Sequence, residues 1–179
     1  MIEKNGLSLA RGKVTLIYGY PTPRITSFII DISIHLLENS VIKRVYIIDA
    51  DNIFHPKDFL IVPEKFSNNI ILYKPLSMKD VMVFLYRLYL TKDSVADSFV
   101  VLSSLYLHID NRFYKNLMYD PVMVTALLKA IVNRTDVIAL INVDTYVEEF
   151  EKLPLSNFLS RYIDLIYLRS YSIHGFTFK

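Results

Sequence analysis

The sequence contains no cysteine among its 179 residues. This absence excludes disulfide bonds, thiol catalysis and cysteine-ligated metal sites, and it fits a reducing cytoplasm. No stretch approaches the roughly 18 apolar residues of a membrane span, because Asp31 and His35 interrupt the richest segment, FIIDISIHLL. The N-terminal segment MIEKNGLSLARGK lacks the apolar core of a signal peptide. Together these absences predict a cytoplasmic protein.

Neither sign of charge dominates the chain, which has 20 Lys+Arg, 18 Asp+Glu and a net charge of +2. This balance by itself indicates neither nucleic acid nor an acidic membrane as a partner. The sequence is 53% hydrophobic and 21% charged, so a large buried core is available and disorder is not expected. The length predicts one domain.

Short runs rich in β-branched residues alternate with longer helical stretches. The predicted strands are VTLIYG from Val14, RVYIIDA from Arg44, NIILYKP from Asn69, SFVVLSS from Ser98, DVIALINV from Asp136 and DLIYLRSY from Asp164. The predicted helices span 25–38, 56–60, 78–90 and 120–133, and the irregular segment 107–119 is interpreted as a surface loop. The alternation predicts an α/β fold with a parallel sheet flanked by helices on both faces.

Ligands of open parallel sheets bind beyond the carboxyl ends of the strands. The segment YGYPTPRITSF, which begins at Tyr18, follows the first predicted strand and leads into a helix. This is the place of a phosphate-binding loop, but prolines stand where such loops have glycines, and the segment contains no lysine.

Five segments in order resemble the core ATPase domain of the RecA/RadA recombinases, especially archaeal RadA paralogues with degenerate Walker A and Walker B motifs. They run from about Gly12 to Arg169 and are GKVTLIYGYPTPRITS, YIIDADNIFHPKDFL, FVVLSSL, ALINV and PLSNFLSRYIDLIYLR. The resemblance implies a RecA-like, P-loop NTPase-like core: a mostly parallel sheet flanked by helices. It implies a single domain over residues 1–179, with no N-terminal DNA-binding domain.

The Walker A position departs from the family pattern. By resemblance, Gly19 is its first glycine and Thr26 its metal-binding hydroxyl, whereas Arg24 replaces the second glycine and Ile25 replaces the lysine. The two prolines of the loop have no N–H group to donate to a phosphate, and Ile25 removes the positive charge. The loop therefore lacks most of what holds a nucleotide triphosphate.

The other nucleotide-site positions have also changed. Ser103 stands where the family has its Walker B aspartate, and Val143 follows Asn142 where the family has a glutamine sensor. Asp51 occupies the place of the catalytic glutamate but is one methylene shorter. We therefore expect a degenerate nucleotide site with no catalytic residue, no cofactor and no metal, because phosphoryl transfer depends on the missing charges.

Two alternatives for this site stay open. Arg24 is able to stand in for the lysine, since guanidinium groups bind phosphate well, and the helix N-terminus near Thr26 offers N–H groups to an anion. The first alternative is weak nucleotide binding without turnover. The second is an unusual ATPase that uses Arg24 and Asp51.

Other candidate chemistry is sparse. No two of the four histidines have the i, i+4 or H-x-H spacing of a metal site. His35 is interpreted as a core or interface residue and His55 as a cap of the loop after the second strand. The acidic residues Glu148, Glu149 and Glu151 are interpreted as a solvated surface run.

Aromatic and basic residues interleave after the fourth strand, a composition found in single-stranded DNA grooves. The candidate DNA-binding residues are His108, Arg112, Phe113, Tyr114 and Lys115. By resemblance, this segment corresponds to the first DNA-facing loop of the recombinases. The second would fall at 144–153, which is acidic and therefore repels phosphate.

The sequence thus predicts a non-catalytic, RecA-like pseudo-ATPase that serves as an accessory protein in DNA recombination or repair. Its expected partners are a second copy of itself or a RadA-like recombinase or repair protein, with single-stranded DNA as a further candidate and no membrane. The alternatives are the unusual ATPase described above and a pseudo-ATPase scaffold unrelated to DNA, because fold does not imply function.

Overall fold

The computed structural model describes residues 2–4, 6–91, 95–105, 119–172 and 175–178. The strands are β1 (Ile2–Lys4), β2 (Leu7–Leu9), β3 (Lys13–Gly19), β4 (Arg44–Ile48), β5 (Ile70–Tyr73), β6 (Ser98–Leu102), β7 (Ile138–Asp144), β8 (Leu165–Ser172) and β9 (Gly175–Phe178). The α-helices are α1 (Ile25–Glu38), α2 (Met78–Leu90), α3 (Tyr119–Thr135) and α4 (Ser156–Leu159). Short 3-10 helices occupy Pro56–Ile61, Glu64–Asn69 and Phe150–Lys152.

Seven strands form one sheet in the order β5-β4-β6-β7-β3-β8-β9. All neighbouring pairs are parallel except β8 and β9, which are antiparallel. A separate antiparallel hairpin joins β1 to β2. The chain is therefore α/β with a mostly parallel sheet, as the strand–helix alternation predicts.

Helices cover both faces of the sheet. Successive strand residues point to opposite faces, so Val45 and Ile47 of β4 pack in the cluster that includes α1, whereas Tyr46 and Ile48 pack in the cluster that includes α2, α3 and α4. The central strands β6 and β7 are buried along almost their whole length. This double coverage explains why these strands are continuously apolar in sequence.

Local capping fixes the beginning of α2. The Ser77 hydroxyl accepts a hydrogen bond from the N–H of Asp80 at 3.2 Å, and the Asp80 carboxylate accepts one from the N–H of Leu76 at 3.1 Å. This reciprocal arrangement satisfies N–H groups that a helix start leaves without partners. Both α1 and α2 have the bounds that the sequence predicts.

Asp164 joins α3 to the sheet just before β8. Its carboxylate accepts hydrogen bonds from Lys129 Nζ at 2.6 Å and from the N–H of Val14 at 2.8 Å. Burial alone would raise the pKa of Asp164, but these hydrogen bonds and the charges of Lys129 and Lys13 hold it below its ordinary value. The ionised carboxylate therefore stabilises the fold.

Several expectations need correction. The predicted helix at 56–60 is a 3-10 helix over Pro56–Ile61. His35 is exposed on α1, so it is not a core residue. The short strands β1, β2 and β9 were not predicted, because three- and four-residue strands give too little alternation to recognise. The predicted loop at 107–119 lies outside the described residues except for Tyr119, which begins α3.

None of the helices in the described ranges has both the length and the apolar character that crossing a bilayer requires.

Candidate functional site

The carboxyl ends of the parallel strands meet along one edge of the sheet. There the loop after β3 leads into α1 on one face, whereas the segment after the neighbouring strand β7 leads to α4 on the other. Such a divergence opens the crevice in which ligands of α/β sheets bind. Residues at the ends of β3, β4, β6 and β7, together with the neighbouring part of β8, therefore define the candidate site.

The loop after β3 does not form a phosphate nest. The N–H of Ile25 donates to the carbonyl of Thr22 at 3.2 Å, and the N–H of Arg24 is 3.4 Å from the Thr22 hydroxyl. Pro21 and Pro23 contribute no N–H group. Arg24 has φ −97° and ψ 0°, so its backbone is not left-handed. Of the N–H groups that a phosphate nest in this loop would use, those of residues 21 and 23 are therefore absent, and those of Arg24 and Ile25 are directed at Thr22.

The first turn of α1 is packed into the core. Ile25 and Thr26 are buried, and Ile25 belongs to the apolar cluster beneath α1. The Ile25 side chain therefore points into the hydrophobic core. Arg24 is exposed at the helix start and makes interactions of its own.

Gly19 ends β3 against the neighbouring strand. Its φ is +151°, and a Cβ added there would collide with the carbonyl oxygen of Arg169. Because glycine has no Cβ, it allows the backbone of β3 to approach β8 closely at this position.

Arg169 of β8 is the central residue of the site, although it is only 2% exposed. Its guanidinium donates to the carbonyl oxygens of Gly19 at 3.0 Å and Tyr20 at 2.7 Å, and to Asp144 Oδ1 at 2.6 Å. It also donates to Asn142 Oδ1. These contacts hold the start of the loop after β3 against the end of β7 and the middle of β8. Guanidinium suits this role because its planar donors reach several acceptors at once.

Asn142 extends the network to β6. Its Nδ2 donates to the carbonyl oxygen of Ser103 at 3.2 Å. The hydroxyl of Ser103 in turn accepts a hydrogen bond from the N–H of Asp51 at 3.2 Å. The Ser103 hydroxyl thus fixes the turn after β4. Hydrogen bonds to one another and to Arg169 connect Gly19, Asn142, Ser103 and Asp51.

The buried Asp49 and the exposed Lys74 form a second polar arrangement near Asp51. The Asp49 carboxylate accepts from the N–H groups of Ile53 at 2.9 Å and Phe54 at 3.2 Å, and it lies 3.2 Å from Lys74 Nζ. With its oxygens occupied in this way, Asp49 orders the turn after β4. A buried carboxylate requires such partners.

The acidic segment 144–153 folds back over the loop after β3. The hydroxyl of Tyr18 donates to the carbonyl of Glu148 at 3.2 Å, and Tyr20 packs edge-on against Tyr146 at 5.6 Å between ring centroids. Burial, with a further contribution from the charge of Glu151, raises the pKa of Tyr18. The three glutamates are exposed, as predicted. A segment that carries negative charge therefore borders the place where a phosphate would bind.

Sequence reasoning missed Arg169, Asp144, Asp49 and Lys74 as site residues. A basic residue inside the apolar strand segment DLIYLRSY was the available signal for Arg169, because a buried arginine needs acidic or carbonyl partners. The candidate DNA-binding residues His108, Arg112, Phe113, Tyr114 and Lys115 lie outside the described residues. Within the described ranges, no three His, Asp or Glu side chains are grouped so as to hold a metal ion.

Searches with this chain found no matching protein-family model and no similar protein among the curated sequences.

Proposed function

We propose that this chain is a RecA-like pseudo-ATPase that acts without catalysis, as an accessory protein in DNA recombination or repair. The observation that carries the proposal is the hydrogen-bonded network of Arg169, Asn142 and Asp144 behind the loop after β3. In this network, polar side chains at the candidate nucleotide site form hydrogen bonds to one another. The assignment to DNA recombination or repair comes from the resemblance to RecA/RadA cores. The mostly parallel sheet supports the RecA-like fold in this proposal.

The absence of a phosphate clamp argues against turnover. Phosphoryl transfer needs positive charge and metal ions around the transferred group. The Walker A lysine position is filled by the buried Ile25, and the Walker B position by Ser103, which bonds to the N–H of Asp51. The proposal therefore assigns Asp51 no catalytic role.

Exposed apolar side chains near the edge strand β5 support the proposal that this chain acts by binding another protein. Four exposed apolar side chains lie on β5, in the turn after it and on the outer face of α2; we call them the β5 surface, and they are Ile71, Leu76, Tyr86 and Leu90. Burial of such side chains against a partner removes apolar surface from water and so favours association. We propose a second copy of the chain as its occupant, since an edge strand is able to pair with its own copy across a twofold axis.

A scaffold role unrelated to DNA is the second candidate function. The acidic segment 144–153, which corresponds to one of the two DNA-facing loops, favours it. Glu148, Glu149 and Glu151 are exposed there, and Lys152 pairs with Glu149 at 2.6 Å. This surface repels a phosphate backbone.

Nucleotide binding and turnover test the proposal directly. We expect no Mg²⁺-dependent phosphate release by the purified chain and no rise in melting temperature with millimolar ATP and Mg²⁺, because a ligand stabilises only the fold that it binds. Ile25→Lys is not expected to restore turnover, since it places an ammonium group in an apolar core. Steady phosphate release that Asp51→Ala abolishes and the exposed-site control Asp31→Ala preserves would show that the chain is an ATPase.

A further inference from the structure

A cavity of about 430 Å³ opens between the loop after β3 and the end of β8. Its walls combine apolar surface with polar groups on one side, and the residues that line it are Tyr20, Pro21, Thr22, Pro23, Glu148, Leu168, Arg169 and Ser170. The volume lies within the range of small-ligand sites. The network described above does not fill this space, so the cavity is a separate feature of the site.

The charge that faces this cavity is negative. Arg169 lines it, but its side chain is only 1% exposed and is paired with Asp144. Glu148 is exposed, and its carboxylate meets the hydroxyl of Tyr20 at 3.4 Å. Among the described residues, no lysine or arginine forms an ion pair with Glu148. The cavity therefore favours a cation over a phosphate.

The aromatic wall is held in place on two sides. Tyr20 is half exposed, its hydroxyl lies near Glu148, and its ring packs edge-on against Tyr146. Pro21 and Pro23 stiffen the loop that carries it. A guanidinium group stacks on an aromatic face while its N–H groups reach a carboxylate, and its aliphatic stem packs on apolar residues such as Leu168.

We propose that this cavity binds an arginine side chain of a partner protein, with the guanidinium against the ring of Tyr20 and the carboxylate of Glu148. Arginine is enriched at protein interfaces and contributes strongly when it inserts into a pocket. A neutral apolar side chain would not gain the attraction of the Glu148 charge, and an acidic one would be repelled by it. The site stands independently of the proposed role in DNA repair.

The experiment is a titration of the ¹⁵N-labelled full chain with Nα-acetyl-arginine N-methylamide, followed by amide chemical shifts. The matched control ligand is the citrulline derivative, which has nearly the same shape but no charge. We expect saturable shifts centred on Thr22, Glu148 and Ser170 with arginine and at least tenfold weaker binding of citrulline. Glu148→Gln is expected to weaken arginine binding about tenfold, which corresponds to about 1.4 kcal/mol. Glu149→Gln, on the same segment but paired with Lys152, is expected to leave it unchanged.

Three results would overturn the proposal: equal shifts with arginine and citrulline, unchanged arginine binding by the folded Glu148→Gln variant, or saturable shifts of the same amides with inorganic phosphate. A Gly-Ser peptide with one central arginine distinguishes a partner protein from a free metabolite. We expect the peptide to bind at least as tightly as the capped residue. If free arginine binds and the peptide does not, the site belongs to a small molecule and the proposed partner is wrong.

Discussion

The guanidinium of Arg169 in β8 lies 2.6 Å from Asp144 Oδ1, at the place where β3 and β7 end. The arginine is buried, whereas the Asp144 side chain is 24% exposed. The pair thus forms the inner wall of the crevice, and part of the Asp144 carboxylate remains exposed to solvent. The terminal nitrogens of Arg169 have acceptors, as a buried charge requires, whereas its Nε is buried without a hydrogen-bond partner.

Removal of Arg169 is expected to destabilise the chain strongly. Arg169→Met leaves Asp144, Asn142 and two carbonyl groups without their donor, and we expect a loss of about 3 kcal/mol in the free energy of unfolding. Urea unfolding measures it, with Arg161→Met as the control, because Arg161 is exposed beside the ring of Phe158. An Arg169→Met variant as stable as the control would contradict the structural role.

The glycine that ends β3 is expected to be irreplaceable. In Gly19→Ala the new methyl group meets the backbone of Arg169, and we expect a loss of about 3 kcal/mol. Gly12→Ala is the matched control: Gly12 also has a positive φ of +71°, but a Cβ there lies 3.7 Å from the nearest atom, Asp136 Oδ1. We expect it to lose about 1 kcal/mol, from backbone strain alone. Equal thermal denaturation midpoints for the two variants would argue against the close approach.

Much of the fold was predictable because strong local signals agree with it. The apolar run SFVVL indicates a strand buried on both faces, and Ser77 with Asp80 marks the start of α2. The site was less predictable. The resemblance drew attention to Ser103 and Asn142, but the sequence gave no sign that Arg169, 27 residues beyond Asn142, would donate a hydrogen bond to it. Side-chain networks between distant strands depend on sheet order, which periodicity does not encode.

The ionisation of Asp164 is expected to make stability depend on pH. The pKa of this carboxyl is lowered in the folded chain, so its stabilising contribution is full above the unfolded value of about 3.9 and is lost as the pH falls through the lower, folded value. Asp164→Asn is expected to cost about 2 kcal/mol at pH 7. The difference from wild type should shrink in acid.

Urea titrations at pH 7 and near pH 3 measure this dependence. Asp31→Asn is the control, because Asp31 is exposed on α1. A stability difference between wild type and Asp164→Asn that grows toward low pH would contradict the sign.

Binding of single-stranded DNA, where it occurs, is expected to depend on Arg112 and Lys115. Both belong to the segment between β6 and α3 that interleaves cations with aromatic residues. The combined change Arg112→Ala and Lys115→Ala should reduce affinity and flatten its salt dependence, since each phosphate contact releases counterions. Fluorescence anisotropy with a labelled oligonucleotide at two salt concentrations measures both effects. Unchanged affinity and salt dependence would exclude the segment as the DNA site.

The β5 surface is expected to hold two copies of the chain together without nucleotide. Leu76 is 95% exposed and Leu90 59% exposed, and burial of such side chains gains about 1.5–3 kcal/mol each. We expect light scattering at micromolar concentration to show a dimer, with or without ATP. The double variant Leu76→Glu with Leu90→Glu should dissociate, because a dimer would bury its charges.

Met123→Glu is the matched control for this surface, since Met123 is 57% exposed but lies on α3. It should leave the dimer intact, which separates loss of the β5 surface from a general effect of added negative charge. A wild-type chain that stays monomeric and also fails to bind a purified RadA-like recombinase would disprove assembly through this surface. Assembly that requires ATP would disprove it in another way, because it would show that the loop between Gly19 and Thr26 still binds nucleotide.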